Sequence, residues 1–211
     1  MMQKNAFLNN EADSWYNRNK DNLKLVGDPI LEAFGPIKAA GNISSILEIG
    51  CGTGLRLEHL CKITGAKVFG LDPSPLSISE AKSRKITAEV GTADKLPWPD
   101  ASMDLVIFGF CLYLCDREDL FRIASEADRL LKNPGWLIIL DFHSRDQAIR
   151  PYKHLDGVNS YKMDYSKIFT WHPGYTIFNH NITDHANRGQ FTDDPNEWIA
   201  TTTIRKNVTN Q

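Results

Sequence analysis

The 211-residue chain is short of most features that would send it to a membrane, a secretory route or a nucleic acid. No apolar run approaches the roughly 20 residues of a membrane-spanning helix. The opening MMQKNAFLNNEADSW has no apolar stretch of the secretory kind, so a cytoplasmic compartment is expected. A formal net charge of −2 leaves no excess of positive charge with which to hold phosphates, and neither nucleic acid nor membrane is expected as a partner. Cysteine is scarce: Cys51, Cys61, Cys111 and Cys115 show no Cys-x-x-Cys spacing and read as free thiols among apolar neighbours. No cluster with metal-ligand spacing stands out, and no metal is expected. Internal repeats and low-complexity linkers are missing too, which leaves one ordinary domain over 1–211.

What the chain does have is an alternation of strand and helix signals. Residues 1–41 read as an N-terminal helical cap, one amphipathic stretch over 5–20 and a second helix opened by Asp28 as N-cap and Pro29 at the first helical position. Strands are then expected at 44–49, 67–71, 87–91, 103–109 and 136–140, with helices over 53–63, from Ser74 to about Arg84, and after an Asp116 cap. That last helix carries Leu120, Phe121, Ile123, Ala124, Ala127, Leu130 and Leu131 on one wide apolar face. Such alternation argues for an α/β fold, a parallel sheet with helices on both faces. The pattern stops at 142; residues 143–172 read as a long irregular connection, polar and aromatic, and 175–206 as a closing antiparallel strand pair around Ala186-Asn187-Arg188-Gly189.

The chemistry gathers around Ile46–Gly54, an apolar strand that breaks into Gly50, Gly52 and Gly54 before a helix. A strand, a glycine turn and a helix N-terminus bring backbone N–H groups close to a ligand. A dinucleotide fingerprint needs glycine at position 55, which is Leu55 here, and Glu48 inside the strand end suits a cationic or amine-bearing ligand. Asp72 closes the second strand, where a carboxylate can accept from both hydroxyls of a ribose. Asp94, after the third strand in Gly91-Thr-Ala-Asp-Lys-Leu-Pro-Trp-Pro, can accept from an exocyclic adenine amine while Ala93 and Leu96 cover the ring.

Together these residues resemble the class I S-adenosylmethionine-dependent methyltransferases, in particular their small-molecule, methyltransferase-11-like branch. The resemblance covers about residues 44–142, the cofactor-binding core, by motif and the closing strands by topology. It implies a Rossmann-like seven-stranded, mostly parallel sheet in the order 3-2-1-4-5-7-6 with strand seven antiparallel. By position, Glu48, Gly50 and Gly52 would hold the methionine part of S-adenosylmethionine, Asp72 the ribose, and Ala93 with Asp94 the adenine. Phe110 would lie under the cofactor, and Cys51, Gly54 and Pro73 complete the set, Cys51 as a small filler rather than a nucleophile. The product would be S-adenosylhomocysteine, with no metal required.

The acceptor is left to the remainder of the chain. His143, just past the fifth strand, is the candidate general base. Tyr16 and Trp15 of the cap, Tyr113, and Tyr152, His154, Tyr161 and Asp164 of the 143–172 insertion are the candidate acceptor contacts, the insertion acting as a lid. This polar aromatic set suits a small polar molecule such as a sugar or polysaccharide precursor. A nicotinamide-dependent oxidoreductase on a similar sheet, and a cofactor-binding protein without transferase activity, are the alternatives; monomer and homodimer are both open.

Overall fold

The computed structural model describes residues 2–187 and 189–208. Arg188 of the Ala186–Gly189 segment lies outside the described residues. The N-terminal segment is helical throughout: α1 (Gln3–Ala6), a π turn over Phe7–Glu11 and α2 (Ala12–Asn19). α3 (Pro29–Ala40) starts where Asp28 accepts from the amides of Ile30 and Leu31, as its N-cap role requires. From there strand and helix alternate through β1 (Ser45–Ile49), α4 (Leu55–Thr64), β2 (Lys67–Asp72), α5 (Pro75–Ser83), β3 (Thr87–Val90), β4 (Met103–Gly109), α6 (Leu120–Leu130) and β5 (Leu131–Phe142). Ser74 caps α5 by accepting from the amide of Ser77.

After β5 come a small hairpin, β6 (Ala148–Pro151) and β7 (Asn159–Lys162), a one-turn helix α7 (Lys167–Thr170), and the long strands β8 (Tyr175–Asp184) and β9 (Trp198–Lys206). The main sheet runs β3-β2-β1-β4-β5-β9-β8, with β9 antiparallel to both neighbours, the order expected. The central strands are buried on both faces, as their continuous apolar runs require. Ile30, Phe34 and Ile37 of α3 join Leu57, Leu60, Ile78 and Ala81 of α4 and α5 on one face. Ile123, Ala127 and Leu130 of α6 join Ile168 and Phe169 of α7 on the other.

Four details depart from the sequence reading. Phe121 is 78 % exposed, because the stripe at Leu120, Ile123, Ala127 and Leu130 already faces the sheet and position 121 points away from it. Asp116 does not cap α6; its two oxygens accept from the backbone amides of Gln3 and Lys4, 2.7 and 3.0 Å away, and so hold the start of α1. β5 begins at Leu131, ahead of the cis Asn133–Pro134 bond, with an irregular register against β4. The 143–172 connection is not irregular throughout, since the antiparallel β6–β7 pair organises it. Gln3 fastens this hairpin to the cap: its side chain donates to the carbonyls of Leu114 and Asn159 and accepts from the amide of Asn159. All four cysteines are free, Cys51 buried and the others half-buried.

Candidate active site at the carboxyl edge

The sheet ends in a loop that only glycine can make. Gly50 has φ +76°, and a Cβ there would sit 2.8 Å from that of Cys111; Gly52 has φ +51°, and its missing Cβ faces open space. The amides of Gly50 and Cys51 both donate to the carbonyl of Leu71 (2.8 and 3.1 Å), which folds the loop back over β2. Asp72 receives the Gly52 amide on one oxygen (3.0 Å) and the Ser74 amide on the other (2.9 Å), linking the loop to the start of α5. Burial pushes its carboxyl up to about 6, against the pull of those two amides.

Behind the loop stands a buried charge cluster. Glu48 is 0 % exposed and pairs with Arg56 of α4, and Arg56 also bonds both oxygens of Asp28 at 2.9–3.2 Å. A Cβ at Gly109 would strike Glu48 Oε1, so the neighbouring strand leaves room for this carboxylate. Burial raises the Glu48 carboxyl to about 7, opposed by the Arg56 guanidinium. Its second oxygen, Oε2, is buried with no hydrogen-bond partner among the described residues, an orphaned acceptor.

In front of the loop opens a cleft of about 650 Å³, within the range of small-molecule sites. Its floor is Gly50–Thr53, Asp72 with Pro73, and Thr92–Asp94; its roof is the N-terminal segment, through Lys4, Phe7, Trp15 and Leu23–Val26. Lys4 reaches across to Asp94 (2.7 Å) and Asp119 (2.8 Å). Burial resists ionisation of Asp94, but Lys4 and the Thr92 hydroxyl outweigh it and hold its carboxyl below the ordinary value. The far end of the cleft is aromatic. Phe110 sits at φ +64°, a strained conformation for a bulky residue, and its ring meets Tyr113 (5.4 Å), Phe142 (4.9 Å) and His185 (5.5 Å, stacked). Asp141, accepting from the amides of Leu112, Tyr113 and Phe142, holds the segment that carries Tyr113.

Of the residues singled out in the sequence, the cleft gathers Gly50, Cys51, Gly52, Asp72, Pro73, Ala93, Asp94, Phe110, Tyr113 and Trp15 on its wall. Glu48 and Gly54 do not form part of that wall. The others are engaged elsewhere. Tyr16 donates to Glu80 on α5, Tyr152 donates to Glu11 and packs on Phe7 and His154, and Tyr161 lies under the Arg117 guanidinium, 4.2 Å from it. Asp164 accepts from Ser166, and the ring of His143 faces His180, 5.2 Å between centroids. None of this polar set lines the cleft. Lys4, Phe7, Asp28, Arg56, Phe142 and His185 also line it, and sequence reasoning did not nominate them. Only Arg56, two residues past Gly54 in the first turn of α4, carried a local signal; the rest arrive from distant parts of the chain.

Residues 47–139 match the family described as a methyltransferase domain. A demethylmenaquinone methyltransferase of Tropheryma whipplei (strain Twist) is 32 % identical over 115 residues, covering 52 % of this chain and 46 % of that protein. An ajmaline N-methyltransferase of Rauvolfia serpentina is 27 % identical over 143 residues, covering 61 % of this chain and 48 % of that protein. The chain thus spans about half the length of these curated relatives. Among solved structures, the 1,6-didemethyltoxoflavin-N1-methyltransferase of Burkholderia thailandensis, with 1,6-didemethyltoxoflavin and S-adenosylhomocysteine bound, superposes with a TM-score of 0.75 over 96 % of this chain and 88 % of that one at 15 % identity. At that identity the likeness is one of fold.

Proposed function

We propose that this chain is a class I S-adenosylmethionine-dependent methyltransferase, a reading its matched domain and its sheet support, and that it methylates a small ring-bearing acceptor held at the aromatic end of the cleft. The observation that carries the reading is the joint geometry of the glycine loop and Asp72, whose carboxylate already bonds the Gly52 amide beside open space. The residues present fit the cofactor. Positive-φ glycines clear room at the loop, and Asp72 offers a carboxylate to a ribose. S-adenosylmethionine supplies a methyl group on a positively charged sulfur, already activated for attack.

The work left to the protein is positioning and exclusion of water. The cap residues Phe7 and Trp15 and the segment Leu23–Val26 cover the cleft, while Phe110, Tyr113 and Phe142 present ring faces and edges to an acceptor. A flat, largely apolar molecule with a nucleophilic oxygen or nitrogen suits that wall better than a sugar, because the hydroxyl-rich tyrosines of the insertion point their contacts elsewhere. The relatives named for demethylmenaquinone and ajmaline lean the same way. His185, the imidazole on the cleft wall, is the group placed to accept a proton from a hydroxyl acceptor, in the role that sequence reasoning gave to His143.

Calorimetric titration with S-adenosylhomocysteine and with nicotinamide dinucleotides, followed by transfer of a labelled methyl group to quinols, aromatic amines and sugars, tests this. Binding of S-adenosylhomocysteine alone and labelling of a ring-bearing acceptor are expected. Preference for a nicotinamide dinucleotide would overturn the donor, and labelling of sugars but not ring compounds would overturn the acceptor class.

A further inference from the structure

Away from the cleft, three side chains that the sequence keeps far apart come together: His143 beyond β5, Asp164 after β7 and His180 on β8. One ligand atom from each lies within 4.8 Å of the others. We infer that His143, Asp164 and His180 bind a divalent ion of the zinc class, which fastens the 143–172 insertion to the closing strands. The strongest observation is His143, only 7 % exposed, whose Nδ1 is buried with no hydrogen-bond partner among the described residues. A buried ring nitrogen left unpaired is costly unless something fills its lone pair or takes its proton. The other two donors are oriented and still have capacity. His180 Nδ1 lies 2.8 Å from the Thr202 hydroxyl, which leaves Nε2 available, and Asp164 Oδ1 takes both the amide and the hydroxyl of Ser166, which leaves Oδ2. Ligands steered in this way by a second hydrogen bond are the usual setting of a metal site.

The donor set decides the ion. Two imidazoles and one carboxylate suit zinc or a neighbouring transition ion and not calcium or magnesium, which take oxygen ligands. Tetrahedral zinc holds its donors about 3.3 Å apart, so the three must close in by an ångström or so, with a fourth position left to water. Asp164 sits in the turn between β7 and α7 and can make that movement. Nothing in this site depends on the cleft, and none of the three residues lines it.

The test uses the full chain stripped with chelator and titrated with zinc by calorimetry, alongside His180→Ala and Asp164→Asn; these spare the buried His143, whose loss could unfold the strand end. One zinc per chain is expected, with affinity reduced at least tenfold in each variant while S-adenosylhomocysteine binding is unchanged. Cobalt substitution should give a spectrum without a thiolate band, which separates this site from the four free cysteines. Zinc should also slow proteolysis within 143–172. Absence of saturable binding, equal binding by both variants, or a thiolate band overturns the site; binding without protection of the insertion overturns its fastening role.

Discussion

The two edges of the sheet treat carboxylates in opposite ways. At the amino edge Asp104 accepts from the amides and hydroxyls of Ser44 and Ser45 and from Lys132, all within 3.0 Å. Burial resists its charge, but those donors prevail and hold it near 2, written by its surroundings as about 2 in the folded chain against an ordinary 3.8. At the carboxyl edge Asp72 and Asp141 are buried with backbone amides as their partners, and burial wins: Asp72 stands at about 6 and Asp141 at about 7. An acid whose burial is outweighed by hydroxyl, amide and ammonium donors, as at Asp104, stabilises the fold. One that is buried and under-compensated is available to a guest, and such groups concentrate at sites.

That contrast is sharpest under substitution. Asp72→Ala should weaken S-adenosylhomocysteine binding by about a hundredfold or more, the loss of a charge-assisted pair of hydrogen bonds, with little change in melting temperature. Asp104→Ala should do the reverse, costing about 2 kcal/mol of stability while leaving affinity within about threefold. Calorimetry and thermal melts on both variants check the pair; equal losses of affinity would erase the distinction between the edges.

The same contrast has a pH dependence. Asp104 has a depressed folded pKa, so its contribution is present above 3.8 and is lost as pH falls through about 2. Asp72 and Asp141 have raised folded values, so theirs is present below 3.8 and is lost as pH rises through about 6 and about 7. A ribose donating to Asp72 favours the ionised form, and S-adenosylhomocysteine affinity is therefore expected to climb as pH rises through about 6. Affinity that is flat from pH 5 to 8 would remove Asp72 from that role. A smaller effect is expected from Lys4→Met, which frees Asp94 and Asp119 from their shared ammonium. Part-exposed ion pairs of this kind are worth about 1 kcal/mol or less, so cofactor affinity should change by about threefold, with faster exchange measured by stopped flow.

The portion of the molecule legible in the sequence is the portion built from local signals. Gly50, Gly52 and Asp72 announce themselves because their neighbours in sequence are their neighbours in space. The Asp28 cap was equally readable, but its second task, holding Arg56, was not, since that partner lies 28 positions away. Phe121 misled because apolarity was counted without strict helical phase. The tyrosines of the insertion lie off the cleft wall, since composition suggests a binding surface without saying which way a hairpin faces. Phe142 and His185 meet Phe110 only after β5 and β8 have taken their places in the sheet, and no short window of sequence contains that event.

The roof of the cleft has a consequence for biosynthesis. Gln3 and Lys4 are among the earliest described residues to leave the ribosome, yet their anchors are Asp116, Leu114 and Asn159, separated from them by 111–156 positions. The roof precedes these anchors by more than a hundred residues and cannot be tied to the hairpin until Asn159 has been translated, paying loop-closure entropy that α4, α5 and their strands never meet. A nascent chain halted before the β6–β7 hairpin would own the glycine loop, Asp72 and the Asp116 anchor, but not the Asn159 tie that fastens the roof to the hairpin.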